Sequence, residues 1–467
     1  MNITFHGAAG GVTGSKHIIS HDGVNILLEC GMHQGHWRES YEQNKELPFA
    51  VDTIDAVILS HAHIDHSGLL PVLAKNGYRG PIHTTEATAE LLRPLLMDAA
   101  HIQAEDAAFW KSRALEDPTI TALDPLYSAD DAETVLGLMV THPREEVFTV
   151  ADIAQVQFTN AGHILGSSQV HLTIGEGEAQ RRIGFTGDLG PSNRKIIHDP
   201  VPVPACDVMI SESTYGGRLH KPQATTRDEL AKIIRDTYSR KGKVIIPSFA
   251  LERTQEILYD LHHLYNLGEI PRMAVFVDSP LATDFTEIFS MHLDDFDAET
   301  HEFFLDKNKN PFAFKGLTHT ADTRESKKLN RYDKPCIIIA GSGMCEAGRV
   351  KHHLAHHISD KKNTVLFVGY QAEHTLGRKI LEGESPVRIF GRDITVRASV
   401  YKIGGYSAHA DQAQLIANLE GTPDIKQIFL VHGDGGQAGE LQAKIASDER
   451  HSAWDVIIPQ AGETFEI

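Results

Sequence analysis

The segment that most constrains this chain covers residues 60–68 and reads Ser-His-Ala-His-Ile-Asp-His-Ser-Gly. It directly follows a short apolar run, which is typical of a buried strand that delivers side chains at its carboxyl end. Because alternate residues of an extended chain face the same side, His61, His63 and Asp65 share one direction, and a turn brings His66 to a second point. Imidazoles and a carboxylate at this density predict a metal site for Zn²⁺, with Mn²⁺ or Fe²⁺ as alternatives.

Three further ligand-type residues each stand beside a glycine after a strand-like segment. They are His163 in Ala-Gly-His-Ile, Asp188 in Thr-Gly-Asp-Leu and His432 in Val-His-Gly. The number of ligands predicts two metal ions, each with an open position for water, as in catalytic sites. We expect one group to be His61, His63 and His163, the other to be Asp65, His66 and His432, and Asp188 to bridge the two.

Composition narrows the class of protein. The net charge is −19, from 44 basic and 63 acidic residues, which argues against a nonspecific polyanion binder held by broad electrostatics. No apolar stretch approaches the ~20 residues of a membrane helix, so no membrane partner is expected. The first residues lack a secretory signal, and the four cysteines form no CxxC pair. These features predict a cytoplasmic protein without a disulfide framework.

The chain reads as an α/β protein with three consecutive parts. Short strands dominate residues 1–209, with one long helix expected over 86–115. Apolar strands then alternate with helical stretches over 210–395, which predicts a mainly parallel sheet. Strands and turns are expected to return over 396–467. We interpret this order as a sandwich domain interrupted by an inserted α/β domain.

These motifs resemble those of the metallo-β-lactamase superfamily, whose signature is HxHxDH followed by a single His and a single Asp. They are similar in particular to the β-CASP branch of RNA- and DNA-processing nucleases. Three further motifs of that branch match Glu212 in Ser-Glu-Ser-Thr, His409 in Ser-Ala-His and His432 in Val-His-Gly. The last two forms look closest to the nuclease subunit of the pre-mRNA 3′-end cleavage factor and its prokaryotic relatives. The resemblance implies an αββα sandwich interrupted by a β-CASP domain.

The same resemblance implies a two-zinc ribonuclease that leaves 5′-phosphate and 3′-hydroxyl ends. Asp65, Glu212 and His409 are the expected catalytic residues. His409 would protonate the leaving oxygen, and Glu212 would hold its imidazolium form. Single-stranded RNA is the expected substrate, endonucleolytic cleavage is favoured, and a homodimer is left open. The other interpretation of His409 is an ordinary hydrogen-bonded turn histidine.

One residue departs from the family pattern. The family carries Asp at the end of the early strand where this chain has Glu29, in Leu-Glu-Cys-Gly. In the family, that acid normally makes a hydrogen bond to a metal ligand without binding the metal itself. The longer side chain of Glu29 is therefore expected to change metal affinity or metal preference.

Candidate phosphate contacts come from several places. Ser342 and Gly343 follow a buried strand and precede a helix, where backbone N–H groups attract anions. Ser407, Arg253 and Arg378 are further candidates. An ordinary glycine turn and surface ion pairs are the competing interpretations. The histidines over 352–357 are interpreted as a solvated helix face rather than a metal site.

Two other classes of function compete with a ribonuclease. A hydrolase of a small ester, thioester or lactone could use the same metal core, but would have little need of the inserted domain. A non-catalytic scaffold subunit need not keep every metal ligand. A nuclease acting on DNA remains a variant of the first interpretation.

Overall fold

The computed structural model describes residues 1–35, 37–116, 122–220, 224–306 and 310–467. The chain divides into two compact units. Unit 1 contains residues 1–194, 198–219 and 408–467, and unit 2 contains 195–197 and 220–407. The boundaries at 209/210 and 395/396 expected from the sequence remain a prediction.

The strands and helices are as follows. The strands are β1 (Asn2–Gly7), β2 (Lys16–His21), β3 (Val24–Leu28), β4 (Ala56–Ile58), β5 (Ile82–Thr84), β6 (Met139–Thr141), β7 (Val147–Val150), β8 (Ala154–Asn160), β9 (Ser168–Ile174), β10 (Arg181–Phe185), β11 (Val208–Glu212), β12 (Val244–Pro247), β13 (Ala274–Val277), β14 (Leu317–His319), β15 (Cys336–Ala340), β16 (Thr364–Phe367), β17 (Val387–Ile389), β18 (Arg392–Ile394), β19 (Ser399–Lys402), β20 (Gln427–Val431), β21 (Asp455–Ile457) and β22 (Thr464–Glu466). The helices are α1 (Trp37–Asn44), α2 (Ile64–Ser67), α3 (Leu70–Lys75), α4 (Glu86–Glu116), α5 (Ala129–Leu136), α6 (Ala224–Ser239), α7 (Arg253–Leu267), α8 (Pro280–Phe289), α9 (Ala298–Asp306), α10 (Thr323–Leu329), α11 (Arg349–His357), α12 (Leu376–Leu381), α13 (Gln412–Glu420) and α14 (Gly435–Ala446).

Unit 1 is a sandwich of two seven-stranded sheets. Their strand orders are β22-β1-β2-β3-β4-β5-β6 and β21-β20-β11-β10-β9-β8-β7. Alternate side chains of both sheets, among them Phe5, Phe158 and Phe429, meet in one buried core. A second core lies between the outer face of the second sheet and the helices α13 and α14. It contains Met209, Leu415 and other apolar residues. Helix α4 contacts β6 of the first sheet. This is the predicted αββα sandwich, and the prediction is confirmed.

The strand order of the second sheet brings three of the expected site residues to one edge. Strands β10, β11 and β20 are neighbours and pair in parallel. Their carboxyl ends therefore lie side by side. Asp188 comes three residues after β10, Glu212 ends β11, and His432 follows β20 directly.

Unit 2 is built around a six-stranded sheet of order β14-β13-β15-β12-β16-β19 in which every pairing is parallel. Its strands β12, β15 and β16 are fully buried, and all of their residues except Thr364 are apolar, as expected for strands covered on both faces. The mainly parallel sheet predicted for the inserted domain is confirmed.

The strand-and-turn pattern expected after residue 395 is wrong for two segments, which form α13 and α14. Asp411 caps α13 in a reciprocal capping box with Gln414. Asp434 caps α14 by accepting a hydrogen bond from the backbone N–H of Gln437. An acid at the first position and Gln three residues later is a helix-start signal, but the glycines of Val-His-Gly-Asp-Gly-Gly point to a turn and conceal the second helix.

The solvated face expected over 352–357 is wrong for two of its histidines. His353 is completely buried on α11, and its Nε2 lies 2.6 Å from Oδ2 of Asp278. His357 is buried, and its Nε2 lies 3.4 Å from Nζ of Lys243. Both side chains occupy the apolar face of the helix, which the sequence pattern did not separate from the solvent face.

No helix among the residues described here is long and apolar enough to cross a membrane. The four cysteines are all buried free thiols. The predicted cytoplasmic location stays a prediction.

Candidate metal centre

The first group of the centre contains three imidazoles in van der Waals contact. Nδ1 of His63 lies 3.2 Å from Nε2 of His61 and 3.0 Å from Nε2 of His163. Oδ2 of Asp188 lies 3.5 Å from the His61 nitrogen and 3.4 Å from the His163 nitrogen. This group has the membership expected from the sequence.

The second group lies on the other side of Asp188. Nε2 of His66 is 3.1 Å from Nε2 of His432, which is 3.5 Å from Oδ2 of Asp65. Oδ1 of Asp188 is 3.2 Å from Nε2 of His66 and 3.4 Å from Nδ1 of His432. The two oxygens of one carboxylate therefore face two separate sets of donors.

The spacing of these atoms fits metal ions. Zinc–nitrogen bonds of ~2.0–2.1 Å in a tetrahedron place neighbouring donor atoms about 3.3 Å apart. The donor atoms of the first group are 3.0–3.5 Å apart. Oδ1 of Asp188 is moreover buried and has no hydrogen-bond partner among the described residues, which is costly unless a cation satisfies it. The donor set thus suits divalent metal ions on both sides of Asp188.

The other nitrogen of most ligand rings is held by a protein group. These contacts are Ser60 Oγ with His61 Nδ1 at 2.9 Å, Glu29 Oε2 with His66 Nδ1 at 2.5 Å, the Ala408 carbonyl with His163 Nδ1 at 2.9 Å, and Thr214 Oγ1 with His432 Nδ1 at 3.1 Å. Such partners fix the ring orientation and tautomer of a metal ligand. Ser60 and Thr214 were not predicted from the sequence, although both are hydroxyl residues close to motif residues.

Glu29 occupies the position where the resemblance expected Asp. It is completely buried, and its Oε1 accepts a hydrogen bond from the backbone N–H of Ser60 at 2.6 Å. Its Oε2 accepts from the Ser60 hydroxyl at 2.9 Å and contacts His66. The backbone of Glu29 has φ 63°, a left-handed conformation that is uncommon outside glycine. The longer side chain thus reaches two of the segments that carry ligands.

Glu212 and His409 form a pair beside the first group. Nδ1 of His409 lies 3.2 Å and 3.3 Å from the two carboxylate oxygens of Glu212. Glu212 is completely buried, and its Oε1 accepts the Leu189 N–H at 2.5 Å. The His409 side chain is 21% exposed and lies 3.8 Å from Asp188. The pair therefore combines a fixed carboxylate with an imidazole that solvent can reach.

The surroundings set the charge of these groups. Burial lowers the pKa of His61 and His163 well below the ordinary value and that of His63 to about 4, so these rings stay neutral, which is the form that binds metal. Burial opposes charge on His409 as well, but the carboxylates of Glu212 and Asp188 raise its pKa to about 9. Against the effect of burial, the neighbouring imidazoles His432 and His66 lower the pKa of Asp188 well below its usual range.

Arg194 is a further residue near the centre that was not predicted from the sequence. It is 4% exposed, and its guanidinium donates a hydrogen bond to the backbone carbonyl of His163. No local motif marks it, because it lies 31 residues from its acceptor. It fixes the loop that carries one of the ligands.

The expected phosphate contacts Ser342, Gly343, Arg253, Arg378 and Ser407 all lie in unit 2. Ser342 is hydrogen-bonded within its own loop to Ala347. Arg253 is buried, pairs with Glu256 at 3.0 Å and donates to the carbonyl of Val368. Arg378 pairs with Glu382 at 2.5 Å. A role for these five residues in phosphate binding remains a prediction.

Comparison with known protein families gives three matches along the chain. Residues 10–247 match the metallo-β-lactamase superfamily, residues 254–380 match the β-CASP domain, and residues 393–459 match the Zn-dependent metallo-hydrolase RNA specificity domain.

Individual relatives agree with these matches. A ribonuclease of Thermus thermophilus is 38% identical over 93% of this chain and 93% of its own length. The transcription termination factor FttA of Methanocaldococcus jannaschii is 31% identical over 93% of this chain and 67% of its own length. A crystal structure of an Enterococcus faecalis protein of unknown function covers 99% of both chains with a TM-score of 0.53 at 13% identity, which shows a shared fold alone.

The fold, the donor atoms and the family matches all indicate the same class of protein. The structure has a buried His/Asp centre at the edge of an αββα sandwich, and the sequence matches metallo-hydrolase families. The protein is an enzyme of the metallo-hydrolase class. Within that class it belongs to the β-CASP branch of the metallo-β-lactamase superfamily. The resemblance noted in the sequence is confirmed.

Proposed function

We propose that the protein is a ribonuclease that hydrolyses phosphodiester bonds of single-stranded RNA with two zinc ions. The observation that carries the proposal is the position of Asp188 between two sets of donors, with the Glu212–His409 pair beside one of them. The similarity to a named ribonuclease over nearly the whole chain supports RNA as the substrate.

The first ion would be held by His61, His63, His163 and one oxygen of Asp188. The second would be held by Asp65, His66, His432 and the other oxygen. Two closely spaced divalent ions supply a nucleophile from water at neutral pH and stabilise the charge that develops on the phosphate. The all-nitrogen-and-oxygen donor set favours Zn²⁺, with Mn²⁺ or Fe²⁺ as alternatives.

His409 supplies the proton that the leaving 3′-oxygen needs. Its Nδ1 faces Glu212, and we assign proton donation to the opposite ring nitrogen. Glu212 keeps the ring oriented and stabilises the imidazolium before the proton is transferred. Water would add to phosphorus as the P–O3′ bond breaks, and the proton from His409 would complete the leaving 3′-hydroxyl. The water oxygen would remain on the other fragment as part of its 5′-phosphate.

Asp65 is the ligand carboxylate with the most access to solvent. Its side chain is 19% exposed, whereas that of Asp188 is 2% exposed. We assign Asp65 a second role, in which it accepts a hydrogen bond from the attacking water and orients it. Glu29 supports the centre by holding His66 and Ser60 in place.

The remaining parts of the proposal concern substrate and assembly. Endonucleolytic cleavage is favoured, with Ser407, Ser342, Gly343, Arg253 and Arg378 as the contacts for the RNA backbone. A homodimer remains open as an arrangement in solution.

The test combines metal analysis of the purified protein with incubation of RNA labelled at the 5′ or the 3′ end. Internal fragments that carry 5′-phosphates support the proposed reaction, and release of mononucleotides would correct it to exonuclease action. Single-stranded DNA of the same sequence and a set of small esters, thioesters and lactones are the matched substrates. Hydrolysis of an ester with no cleavage of RNA would overturn the proposal in favour of a small-molecule hydrolase.

A further inference from the structure

Asp260 of α7 is a buried carboxylate with three partners in unit 2. Its side chain is 1% exposed. Oδ1 accepts hydrogen bonds from Nζ of Lys195 at 2.7 Å and from Nε of Arg227 at 3.0 Å, and Oδ2 accepts from the hydroxyl of Tyr406 at 2.9 Å. The three partners come from segments that are far apart in sequence, and no motif named above contains Asp260.

Two of these partners stand where the chain passes from one unit to the other. Lys195 begins the short stretch 195–197 of unit 2, directly after Arg194 of unit 1. Tyr406 precedes Ser407, the last residue of unit 2, and unit 1 resumes at Ala408. Arg227 lies near the start of α6, the first helix after the chain re-enters unit 2. Asp260 therefore holds the chain close to its crossing points.

Gly405, directly before Tyr406, is tightly packed against Thr226. A Cβ atom on Gly405 would lie 1.8 Å from Oγ1 of Thr226, so only glycine fits there. Thr226 precedes Arg227, which contacts Asp260. The approach of the segment 405–406 to the start of α6 is thus fixed by packing as well as by hydrogen bonds.

Both crossings lead directly into backbone that contacts a predicted metal ligand. The carbonyl of Ala408, two residues after Tyr406, accepts a hydrogen bond from Nδ1 of His163 at 2.9 Å. Arg194, adjacent to Lys195, donates to the carbonyl of His163. His409 follows Ala408, and the N–H of Ala410 donates to the carbonyl of Leu189 at 2.7 Å.

We propose that Asp260 is a positioning residue for the nuclease reaction, which holds Tyr406 so that Ala408 and His409, two and three residues further along the chain, keep their places at the metal centre. The inference rests on the proposed ribonuclease function, and it adds a residue that touches neither substrate nor metal. A fixed donor matters because displacement of a catalytic group by about 1 Å can cost on the order of 100-fold in rate.

The test uses two variants of the full-length, metal-loaded protein and one matched control. Asp260→Asn weakens all three contacts, and Tyr406→Phe removes one hydrogen bond without a change of charge. Asp278→Asn is the control, because Asp278 is also completely buried in unit 2 and accepts hydrogen bonds from Arg349 and His353. In the described part of the chain, the hydrogen-bond partners of Asp278 lie outside the crossing segments, so its loss reports general destabilisation.

We expect Asp260→Asn and Tyr406→Phe to lower kcat for RNA cleavage by roughly tenfold or more, with KM within about twofold and zinc content unchanged. Asp260→Glu, which keeps the charge, should recover part of the lost kcat. Asp278→Asn should lower the unfolding temperature while kcat stays near that of wild type at a temperature where both are folded.

Hydrogen exchange of the peptide that covers residues 403–411 gives a second measure, which does not depend on activity. It should become several-fold faster in Asp260→Asn and Tyr406→Phe but not in Asp278→Asn. Unchanged exchange and kcat in the Asp260 and Tyr406 variants would overturn the inference, as would an equal loss of kcat in the control. A wild-type protein that cleaves no RNA, together with the expected change in exchange, would instead refute the proposed function and leave the structural role of Asp260 in place.

Discussion

Glu29 and His66 are in contact through a 2.5 Å interaction between Oε2 and Nδ1, deep inside the sandwich. The sequence showed only that Glu29 stands where the family resemblance leads one to expect Asp. In the structure, the additional methylene lets one carboxylate reach both the His66 ring and the backbone N–H of Ser60. Glu29 therefore still holds the ligand His66, and its longer side chain also binds the backbone of Ser60.

Glu29→Gln should weaken metal binding about 10- to 100-fold. If the amide nitrogen faces His66, the ring is forced into the tautomer whose Nε2 carries hydrogen. If the amide oxygen faces His66, the N–H of Ser60 loses its acceptor. Competition with a zinc chelator, followed by metal analysis, measures the change. Glu178→Gln, at an exposed position, is the control, and equal chelator resistance in both variants would contradict the assigned role.

Zinc should stabilise the wild-type protein, and Asp188→Asn should remove most of that effect. A ligand that binds only the folded state at 100 times its Kd adds about 2.7 kcal/mol of stability. Because Asp188 faces both groups, its replacement weakens both sites at once. Thermal unfolding of chelator-treated protein with and without added zinc tests this. Asp152→Asn, at an exposed position, is the control. If zinc raised the unfolding temperature of Asp188→Asn as much as that of this control, the bridging position of Asp188 would be refuted.

His409→Ala should lower kcat for RNA by about 10²- to 10⁴-fold, the usual range for loss of a general acid. Zinc content should remain that of the wild type, because the proposed ligand groups do not need His409. Cleavage of labelled RNA under single-turnover conditions measures the loss. His198→Ala, which alters an exposed histidine, should cleave normally. An active His409→Ala protein would remove His409 from the mechanism.

Lys16 should make stability rise with pH over an alkaline window. It is 1% exposed, and its Nζ donates to the carbonyls of Gly14 and Gly31. Burial lowers its pKa to about 8, so between that pH and the ordinary value of about 10.4 the unfolded chain binds a proton that the folded chain has lost. Burying the charged ammonium lowers the free energy of unfolding by about 3 kcal/mol, because one pKa unit corresponds to about 1.36 kcal/mol. This loss of stability is complete below pH 8 and disappears as the pH rises from about 8 to about 10.4.

Unfolding of wild type and Lys16→Met at pH values from 7 to 10 checks this prediction. The difference in stability between the two should move in favour of wild type as the pH rises from 8. Lys444→Met, at an exposed position of α14, should show no such trend. A constant difference between wild type and Lys16→Met would mean that Lys16 keeps an ordinary pKa in the fold.

The elements around the candidate site could be predicted from local patterns. The long helix α4 was expected over residues 86–115 and is observed over Glu86–Glu116. The helices α13 and α14 were missed, since their start signals lie among glycines and histidines that also suit turns. His353 was misjudged because burial of one helix face depends on what packs against it.

What the sequence by itself determined is the chemical inventory: imidazoles and carboxylates placed at the ends of apolar strands, in an order typical of one enzyme family. Only the tertiary structure decided how they combine, because Asp188 meets its partners through sheet pairing between segments far apart in the chain. The same holds for Arg194 and Asp260, whose roles depend on distant acceptors and donors. Local patterns report the preferences of short segments, whereas contacts between distant segments exist only once the whole chain has packed.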